Sequence, residues 1–284
     1  SMNQLNQYFR KAELKITLPS KGQYYPPGAI KLDANGEVDV YPMTAADELT
    51  MKTPDALLTG ESTVKVIQSC VPAIPNAWLI PSMDVDIILI AIRIATYGPK
   101  MSISSNVPRT GTKQDHEMDL QAIIESIDTE MVPNTVDLNN GLKIVCRPMN
   151  YQQLSLVRKN TFEKQRMART LNDTKMSDEE KQTEFNKIFE SLTQINVDSL
   201  VANIESIITP EGAVQNREEI DAFVKNVRLQ DVNSIRAKVE EIGKTGQIQP
   251  LKAQTPEEDV EKGAPKTYEV PVLFDNSDFF AYRS

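Results

Sequence analysis

Residues 82–98 read SMDVDIILIAIRIATYG, and no other segment constrains the fold as strongly. The apolar residues cover nearly the whole circumference of a helix, which is typical of a helix buried on all sides. Ser82 is a favourable N-cap residue, and Gly98 is a favourable residue for ending a helix. The sequence therefore predicts a helix over 83–97, and we expect the core of the N-terminal domain to form around it.

Short elements are predicted upstream of this helix. The segments 29–32 and 38–41 flank Asp33-Ala34-Asn35-Gly36. Asn-Gly is a strong hairpin signal because both residues tolerate positive φ, so we expect these two segments to pair. Further predicted elements are an extended segment at 14–18, a helix capped by Thr44 with Asp47 as its capping box, a helix from Thr53-Pro54 to Gly60, and a helix over 62–71.

Residues 99–148 differ in character and predict a small β-rich insert with one short helix. The expected elements are a strand at 100–105, a polar loop at 106–115, a helix at 119–127, and a hairpin in which 135–138 and 142–147 flank Asn139-Asn140-Gly141.

Residues 151–242 are predicted to be helical, with a turn at Thr209-Pro210 and Gly212. Ser177 with Glu180 forms a capping box before a stripe of apolar residues spaced i, i+3, i+4, i+7. We expect a break near 196–198, and we expect Asn216 and Asp231 to cap the last two helices. Short connections favour antiparallel packing.

Residues 244–265 are rich in Gln, Lys, Glu, Pro and Gly and predict a linker. The following segment, 267–274, alternates like a strand, and the chain then carries several aromatic residues. This pattern completes an α+β prediction with four parts: a hairpin and helices over 1–98, the β-rich insert over 99–148, a helical domain over 149–243, and a linker with an aromatic strand over 244–284.

Composition excludes several classes of protein. The 284 residues carry a net charge of −9, which repels a phosphate backbone and anionic lipid surfaces, so we expect no nucleic acid and no membrane as partner. The longest apolar run, 85–95, is too short to span a bilayer, and no signal pattern opens the chain. The expected location is the cytoplasm in which the protein is made.

Catalytic and metal-binding motifs are not found in the sequence. Two cysteines, Cys70 and Cys146, and one histidine, His116, are too few and too far apart for a zinc site, and we expect two buried thiols and a solvated loop histidine. Asp84 and Asp86 point apart on a helix and favour its N-terminus electrostatically. The sequence predicts no enzyme, no cofactor and no small-molecule ligand, although acid–base sites assembled from distant residues stay open.

Two segments are candidates for docking another protein. The first is a basic run at 158–169 that includes Arg158, Lys159 and Arg166; its alternative interpretation is a solvated helix face. The second is the C-terminal aromatic cluster formed by Phe274, Phe279, Phe280 and Tyr282. Large exposed aromatics are costly, so this segment either returns to its own sheet or docks on a partner.

Three motifs in order resemble a known family. They are Leu18-Pro19-Ser20-Lys21-Gly22 followed by Tyr24-Tyr25-Pro26, then Tyr41-Pro42-Met43-Thr44-Ala45 ahead of helices that end in Ile94-Ala95-Thr96-Tyr97-Gly98, and finally Phe274-Asp275 through Phe279-Phe280. Together they resemble the baseplate protein family of T-even-type tailed phages, whose members are linked to assembly of the central baseplate hub.

The resemblance implies a zinc-ribbon-like insert that has lost its metal. Relatives carry Cys-x-x-Cys pairs near the insert and before the terminal strand, whereas 102–110 and 249–268 contain no cysteine here. We therefore expect side-chain packing alone to hold the insert, through Ile103, Leu120, Ile124, Val136 and Ile144.

The resemblance also implies a function in phage tail assembly. The leading hypothesis is a non-enzymatic assembly factor, or chaperone, of the baseplate hub that docks other tail or baseplate proteins in the host cytoplasm. Alternatives are a permanent structural subunit of the virion baseplate and a host-targeting phage enzyme of unrecognised type. A deep pocket with His116 and carboxylates converging on it would favour the enzyme.

Overall fold

The computed structural model describes residues 3–53, 59–127 and 130–272. Over these residues it combines helices with short antiparallel sheets, so the predicted α+β class is confirmed. The helices are α1 (Ala45–Lys52), α2 (Glu61–Cys70), α3 (Ser82–Tyr97), α4 (Leu120–Glu125), α5 (Tyr151–Leu171), α6 (Asp178–Ala202), α7 (Arg217–Asn226), α8 (Leu229–Lys244) and α9 (Glu257–Glu261). The strands are β1 (Leu14–Ile16), β2 (Val38–Val40), β3 (Lys100–Asn106), β4 (Lys113–Asp119), β5 (Thr135–Asp137), β6 (Lys143–Cys146), β7 (Ile204–Thr209), β8 (Gly212–Val214), β9 (Leu251–Gln254) and β10 (Thr267–Val270).

Helix α3 forms the centre of the first core, as its sequence predicts. Its residues from Met83 to Arg93 are buried except Asp86, and Ile88, Leu89 and Ile90 have no exposed surface. Burying each such side chain stabilises the fold by about 1.5–3 kcal/mol. Gly98 ends the helix with a φ of 86°, which a residue with a side chain rarely adopts.

Around α3, the predicted cap of α1 is confirmed and the predicted hairpin partner is wrong. Thr44 and Asp47 form a capping box. The Asn35-Gly36 turn forms, but β2 pairs antiparallel with β1, residues 14–16, instead of 29–32. The 29–32 segment instead runs beside the end of α2, where Lys31 N–H donates to Ala73 O over 3.0 Å. The helix predicted from Thr53-Pro54 to Gly60 lies largely outside the described residues.

A second core forms on a four-stranded antiparallel sheet in the order β5-β6-β7-β8. The hairpin predicted around Asn139-Asn140-Gly141 is confirmed as β5–β6. The prediction that 151–242 is helical apart from one turn is wrong, because 204–214 forms a second hairpin in this sheet. The apolar spacing at Ile204, Ile207 and Ile208 suits a helix, but hydrogen bonding to β6 stabilises a strand instead.

Two smaller helix predictions in this half also need correction. Helix α6 runs without interruption through 196–198, where we expected a break. Helix α8 begins earlier than predicted: Arg228 is its N-cap residue, and Asp231 lies inside the first turn, where its carboxylate accepts from the Arg228 guanidinium. Asn216 caps α7 as predicted, accepting from Glu219 N–H over 3.0 Å.

A third, smaller cluster joins two hairpins that are far apart in sequence. Residues 113–119 form β4 and pair with β3 over seven residues. The first three of these residues were predicted to belong to a polar loop. Residues 251–261, predicted as a linker, form β9 and α9, and β9 pairs with β10. Val107 at the β3–β4 turn is buried against Ala253, Ala264 and Tyr268, and Arg109 Nη1 donates to Gly263 O over 2.8 Å.

The residues expected to hold the insert together divide between two cores. Ile103, Leu120 and Ile124 pack with the first core, whereas Val136 and Ile144 pack with the second. The five side chains therefore form no common cluster, because β5 and β6 belong to the sheet that β7 completes. The division of the chain at 98, 148 and 243 stays a prediction.

Candidate partner-docking surface

Helices α5 and α6 form a long antiparallel hairpin, which we call the arm (residues 151–202). Each helix starts at a capping box, made by Asn150 with Gln153 in α5 and by Ser177 with Glu180 in α6. Because two orphan backbone N–H groups are satisfied at each start, both helices are stabilised locally. At 1.5 Å per residue the two helices are about 31 and 37 Å long.

The arm is fixed to the body at one end. Tyr151 N–H donates to Ile80 O, and Ser82 N–H donates to Met149 O, both over 2.8 Å. Tyr151 is buried and stacks on Trp78 with ring centroids 5.9 Å apart. At the other helix, Leu200 and Val201 are buried in the second core. These contacts place the base of the arm between the first and second cores.

Beyond its base the arm leaves large apolar side chains exposed. Only Tyr151 and Ser155 of α5 and Ile188, Leu200 and Val201 of α6 are buried. The exposed large hydrophobic residues of the arm are Leu156, Phe162, Met167, Phe185 and Phe189. Exposed aromatics of this size, gathered on one element, are typical of a protein–protein interaction site.

Helical periodicity divides these residues between two sides of the arm. Phe185 and Phe189 are one turn apart on α6, and the antiparallel geometry places Phe162 of α5 on the same side. We call this side the aromatic face. Leu156 and Met167 lie on the opposite side of α5, so the aromatic face is distinct from the rest of the exposed apolar surface.

The predicted basic docking residues lie on α5, next to Phe162. Arg158 and Arg166 are exposed and stand four residues before and after Phe162, and Lys159 is half-buried. The structure therefore combines the basic run with an exposed aromatic residue. The other predicted docking residues, Phe274, Phe279, Phe280 and Tyr282, lie outside the described residues.

The sequence did not indicate the exposed aromatic pair on α6. Phe185 and Phe189 belong to the apolar stripe with spacing i, i+3, i+4, i+7, which is typical of a helix side that faces a core. In the structure Ile188 takes the buried position, whereas Phe185 and Phe189 are 48% and 64% exposed. Two helices that pack only on each other bury a narrow strip of each helix. An apolar stripe wider than that strip leaves some of its residues exposed, and the width of the stripe is the feature of the sequence that could have indicated this.

A cavity of about 170 Å³ lies at the base of the arm. Trp78, Leu156 and Lys159 are among the residues that line it.

A buried polar cluster lies beneath the surface, at the start of α3. Asp84 has no exposed surface; its Oδ1 accepts from Ser20 N–H over 2.9 Å, and its Oδ2 accepts from Ser20 Oγ over 2.5 Å and from Tyr25 OH over 3.0 Å. Burial raises the pKa of Asp84 to about 6, although the three donors oppose the shift. The cluster ties the Ser20–Tyr25 segment to the central helix, which sequence reasoning, treating Asp84 as a helix-terminus charge, did not find.

The environment of His116 differs from the prediction. His116 lies in β4, half-buried, and not in a solvated loop. Tyr268 OH donates to Gln114 Oε1, so Ser105 Oγ donates to Tyr268 OH and accepts from His116 Nε2–H, over 2.8 and 2.7 Å. With its Nε2 proton donated to Ser105, His116 holds β10 against β3 and β4.

The remaining reactive side chains are shielded. Cys70 and Cys146 are free and buried, as predicted, in the first and second core respectively. Burial raises the pKa of the two thiols to about 12 and about 11, well above that of a reactive cysteine.

Within residues 3–53, 59–127 and 130–272 no three His, Cys, Asp or Glu side chains gather as metal ligands. No helix of the described chain is long and apolar enough to cross a bilayer.

The family model described as T4 bacteriophage base plate protein matches residues 10–281, which include both cores, the arm and the β9–β10 hairpin. No curated protein and no solved structure matches significantly.

Proposed function

Because the chain belongs to the T4 bacteriophage base plate protein family, we propose that it is a non-enzymatic assembly factor of the baseplate hub. It acts by docking onto other phage tail or baseplate proteins. Family membership confirms the resemblance carried by the sequence motifs. The assignment to the hub, and the action as an assembly factor in the host cytoplasm, are parts of the proposal.

The observation that carries this proposal is the aromatic face of the arm. Phe162, Phe185 and Phe189 are exposed on a hairpin that projects from two well-packed cores. The first core alone shows that this sequence buries large apolar residues where stability requires it. Apolar side chains retained on an exposed hairpin are therefore best explained by a protein that covers them.

Charge supports a docking role for α5. The whole chain carries −9, yet α5 carries five Lys or Arg residues and one Glu. Arg158 and Arg166 flank Phe162, and an arginine beside an aromatic anchor is a typical composition for the energetically dominant part of an interface. The proposed contact on a baseplate partner is an apolar pocket with an acidic rim.

The C-terminal aromatics are a second proposed docking element. Phe274, Phe279, Phe280 and Tyr282 follow β10, which pairs with β9 at residues 267–270. We propose that they add to a partner surface.

Co-purification from infected cells tests the arm. A tagged chain carrying Phe185→Ser with Phe189→Ser is compared with the wild type and with a Leu156→Ser/Met167→Ser control on the opposite side of α5. We expect the first pair to lose baseplate proteins and the control to retain them. Equal recovery of baseplate proteins by all three chains, at equal unfolding free energy, contradicts the proposal.

Deletion of residues 266–284 tests the second element in the same assay. If the shortened chain stays folded and retains every baseplate partner, the C-terminal aromatics are not a docking element. Because β10 lies within the deleted segment, a quadruple Phe/Tyr→Ser variant at 274, 279, 280 and 282 separates docking from loss of the β9–β10 pair.

The alternative function is a permanent structural subunit of the baseplate. The family description, a base plate protein, favours it directly. Protein detected in purified virions at a fixed ratio to other baseplate proteins would support the subunit, whereas protein found only in infected-cell extracts would support the assembly factor.

A further inference from the structure

The two helices of the arm have opposite charge. Helix α5 carries five basic residues and one acidic residue, whereas α6 carries six acidic residues and two basic residues. By helical periodicity, Arg158, Lys159, Arg166 and Arg169 lie on the Phe162 side of α5. On α6, Asp178 lies on the aromatic face and Glu179 and Glu190 lie at its outer edge, whereas the other acidic residues lie on the far side. The aromatic face is therefore basic along α5 and acidic along the outer edge of α6. Such a surface is complementary to itself when it is turned over.

We propose that a second copy of this chain covers the aromatic face, with α5 of one copy against α6 of the other. Two arms then form a four-helix bundle with the Phe162, Phe185 and Phe189 side chains of both copies in its centre. This proposal rests on the proposed function in one respect, because both concern the aromatic face. The second copy covers the aromatic face until a baseplate protein displaces that copy.

The charges of the two helices favour this arrangement over the alternative, in which α5 of one copy packs on α5 of the other. A two-fold axis along the length of the arm places the basic edge of each copy on the acidic edge of the other. An axis across the arm would place α5 on α5, bringing Arg158 and Arg166 against their own counterparts. Opposite charges across an interface favour the correct register and like charges penalise the wrong one.

The contact is isologous, because the same surface serves both copies. Isologous two-fold contacts close after two copies, so the expected product is a dimer and not a filament. An exposed aromatic face on an acidic, soluble chain would otherwise associate without limit at high concentration. The dimer covers the aromatic face and limits association to two copies.

Light scattering of the purified full chain tests the proposal. We expect a species of twice the 31.8 kDa monomer mass at micromolar concentration. Phe185→Glu with Phe189→Glu is expected to raise the dissociation constant by roughly a hundredfold and to leave a monomer. The matched control, Leu156→Glu with Met167→Glu, adds the same charges to the opposite side and is expected to leave the dimer intact.

Three outcomes would overturn the proposal. They are a wild-type monomer throughout the concentration range, a dimer that survives the Phe185→Glu/Phe189→Glu change, and a dimer that both pairs of changes dissociate equally. Circular dichroism of each variant verifies that the arm stays helical.

The test separates this inference from the proposed function. A wild-type monomer that still captures baseplate proteins overturns the dimer alone. A dimer that captures no baseplate protein from infected cells overturns the docking function alone. Mixing the purified dimer with a captured baseplate protein and measuring release of one copy tests the proposed displacement.

Discussion

Helix α3 and the arm are built from equally regular helices but in opposite environments. Ten of the 16 residues of α3 are buried, whereas only two of the 21 residues of α5 and three of the 25 of α6 are buried. Helices α5 and α6 begin at capping boxes, whereas α3 begins after Pro81 with no side-chain cap, so the predicted Ser82 cap is wrong. Both regions carry large apolar residues. In α3 those residues fill the first core, and in the arm they face outwards.

Apolar residues therefore serve two purposes in this chain. A helix buried on every side stabilises the fold, because each side chain leaves water when the chain folds. A helix that keeps its aromatics exposed gains nothing from them until another surface covers them. We therefore expect changes in α3 to have large effects on stability and changes in the arm to have small ones. For binding to other proteins we expect the opposite order.

The largest effect is expected from Leu89→Ala in α3. Leu89 has no exposed surface, so the substitution removes buried methyl groups and leaves a cavity. The expected loss of unfolding free energy is about 2–5 kcal/mol. Urea denaturation followed by circular dichroism measures it, and a loss below about 1 kcal/mol would contradict the central position of α3.

Gly246→Ala is expected to have the next largest effect. An added Cβ would lie 2.1 Å from Met83 O, so the backbone at the junction of the two cores would have to shift. We expect a loss of about 1–3 kcal/mol. Gly243→Ala is the control, because an added Cβ there meets nothing within 4 Å and a helical alanine stabilises by about 1 kcal/mol. A tolerated Gly246→Ala would show that the cores meet more loosely.

The Asp84 cluster gives a smaller, pH-dependent effect. The folded-state pKa is raised from 3.8 to about 6, so the folded chain binds the proton more tightly than the unfolded chain. Stability linked to this proton is present below pH 4 and is lost as the pH rises through 6. Between pH 7 and pH 5 we expect wild-type unfolding free energy to rise by about 1 kcal/mol relative to Asp84→Asn, measured by denaturation at each pH. Parallel curves for the two proteins would show that Asp84 does not titrate in this range.

The smallest effect on stability is expected from the arm. Phe185→Ser with Phe189→Ser should change the unfolding free energy by no more than about 0.5 kcal/mol for each exposed site, at a protein concentration where the chain is monomeric. A loss comparable to that of Leu89→Ala would mean that the aromatic face packs against the same chain and is not a binding surface.

The sequence predicted regions with strong local signals. All-round hydrophobicity identified α3, and capping boxes identified the starts of α1 and α6. The Asn-Gly turns were also correct as turns. Each of these features depends on residues that are neighbours in the chain, so a single sequence contains the necessary information.

Long-range pairing accounts for what the sequence could not predict. The choice of β1 instead of 29–32 as partner of β2, and the strand at β7, depend on segments distant in sequence. At the candidate site, the basic residues of α5 were predicted, but the exposure of Phe185 and Phe189 was not. Their exposure depends on which side of α6 is buried, and only Ile188, Leu200 and Val201 of that helix are buried. Helical periodicity alone does not reveal this.

Photo-cross-linking from the aromatic face in infected cells tests most directly whether the arm is a binding surface. A photoreactive phenylalanine replaces Phe189, and the control replaces Leu229, which is 69% exposed against 64% for Phe189 but lies on α8. We expect adducts with baseplate proteins, and with a second copy of the chain, from position 189 and not from position 229. Equal labelling from both positions, or no protein adduct from position 189, would contradict the claim that the arm is a binding surface.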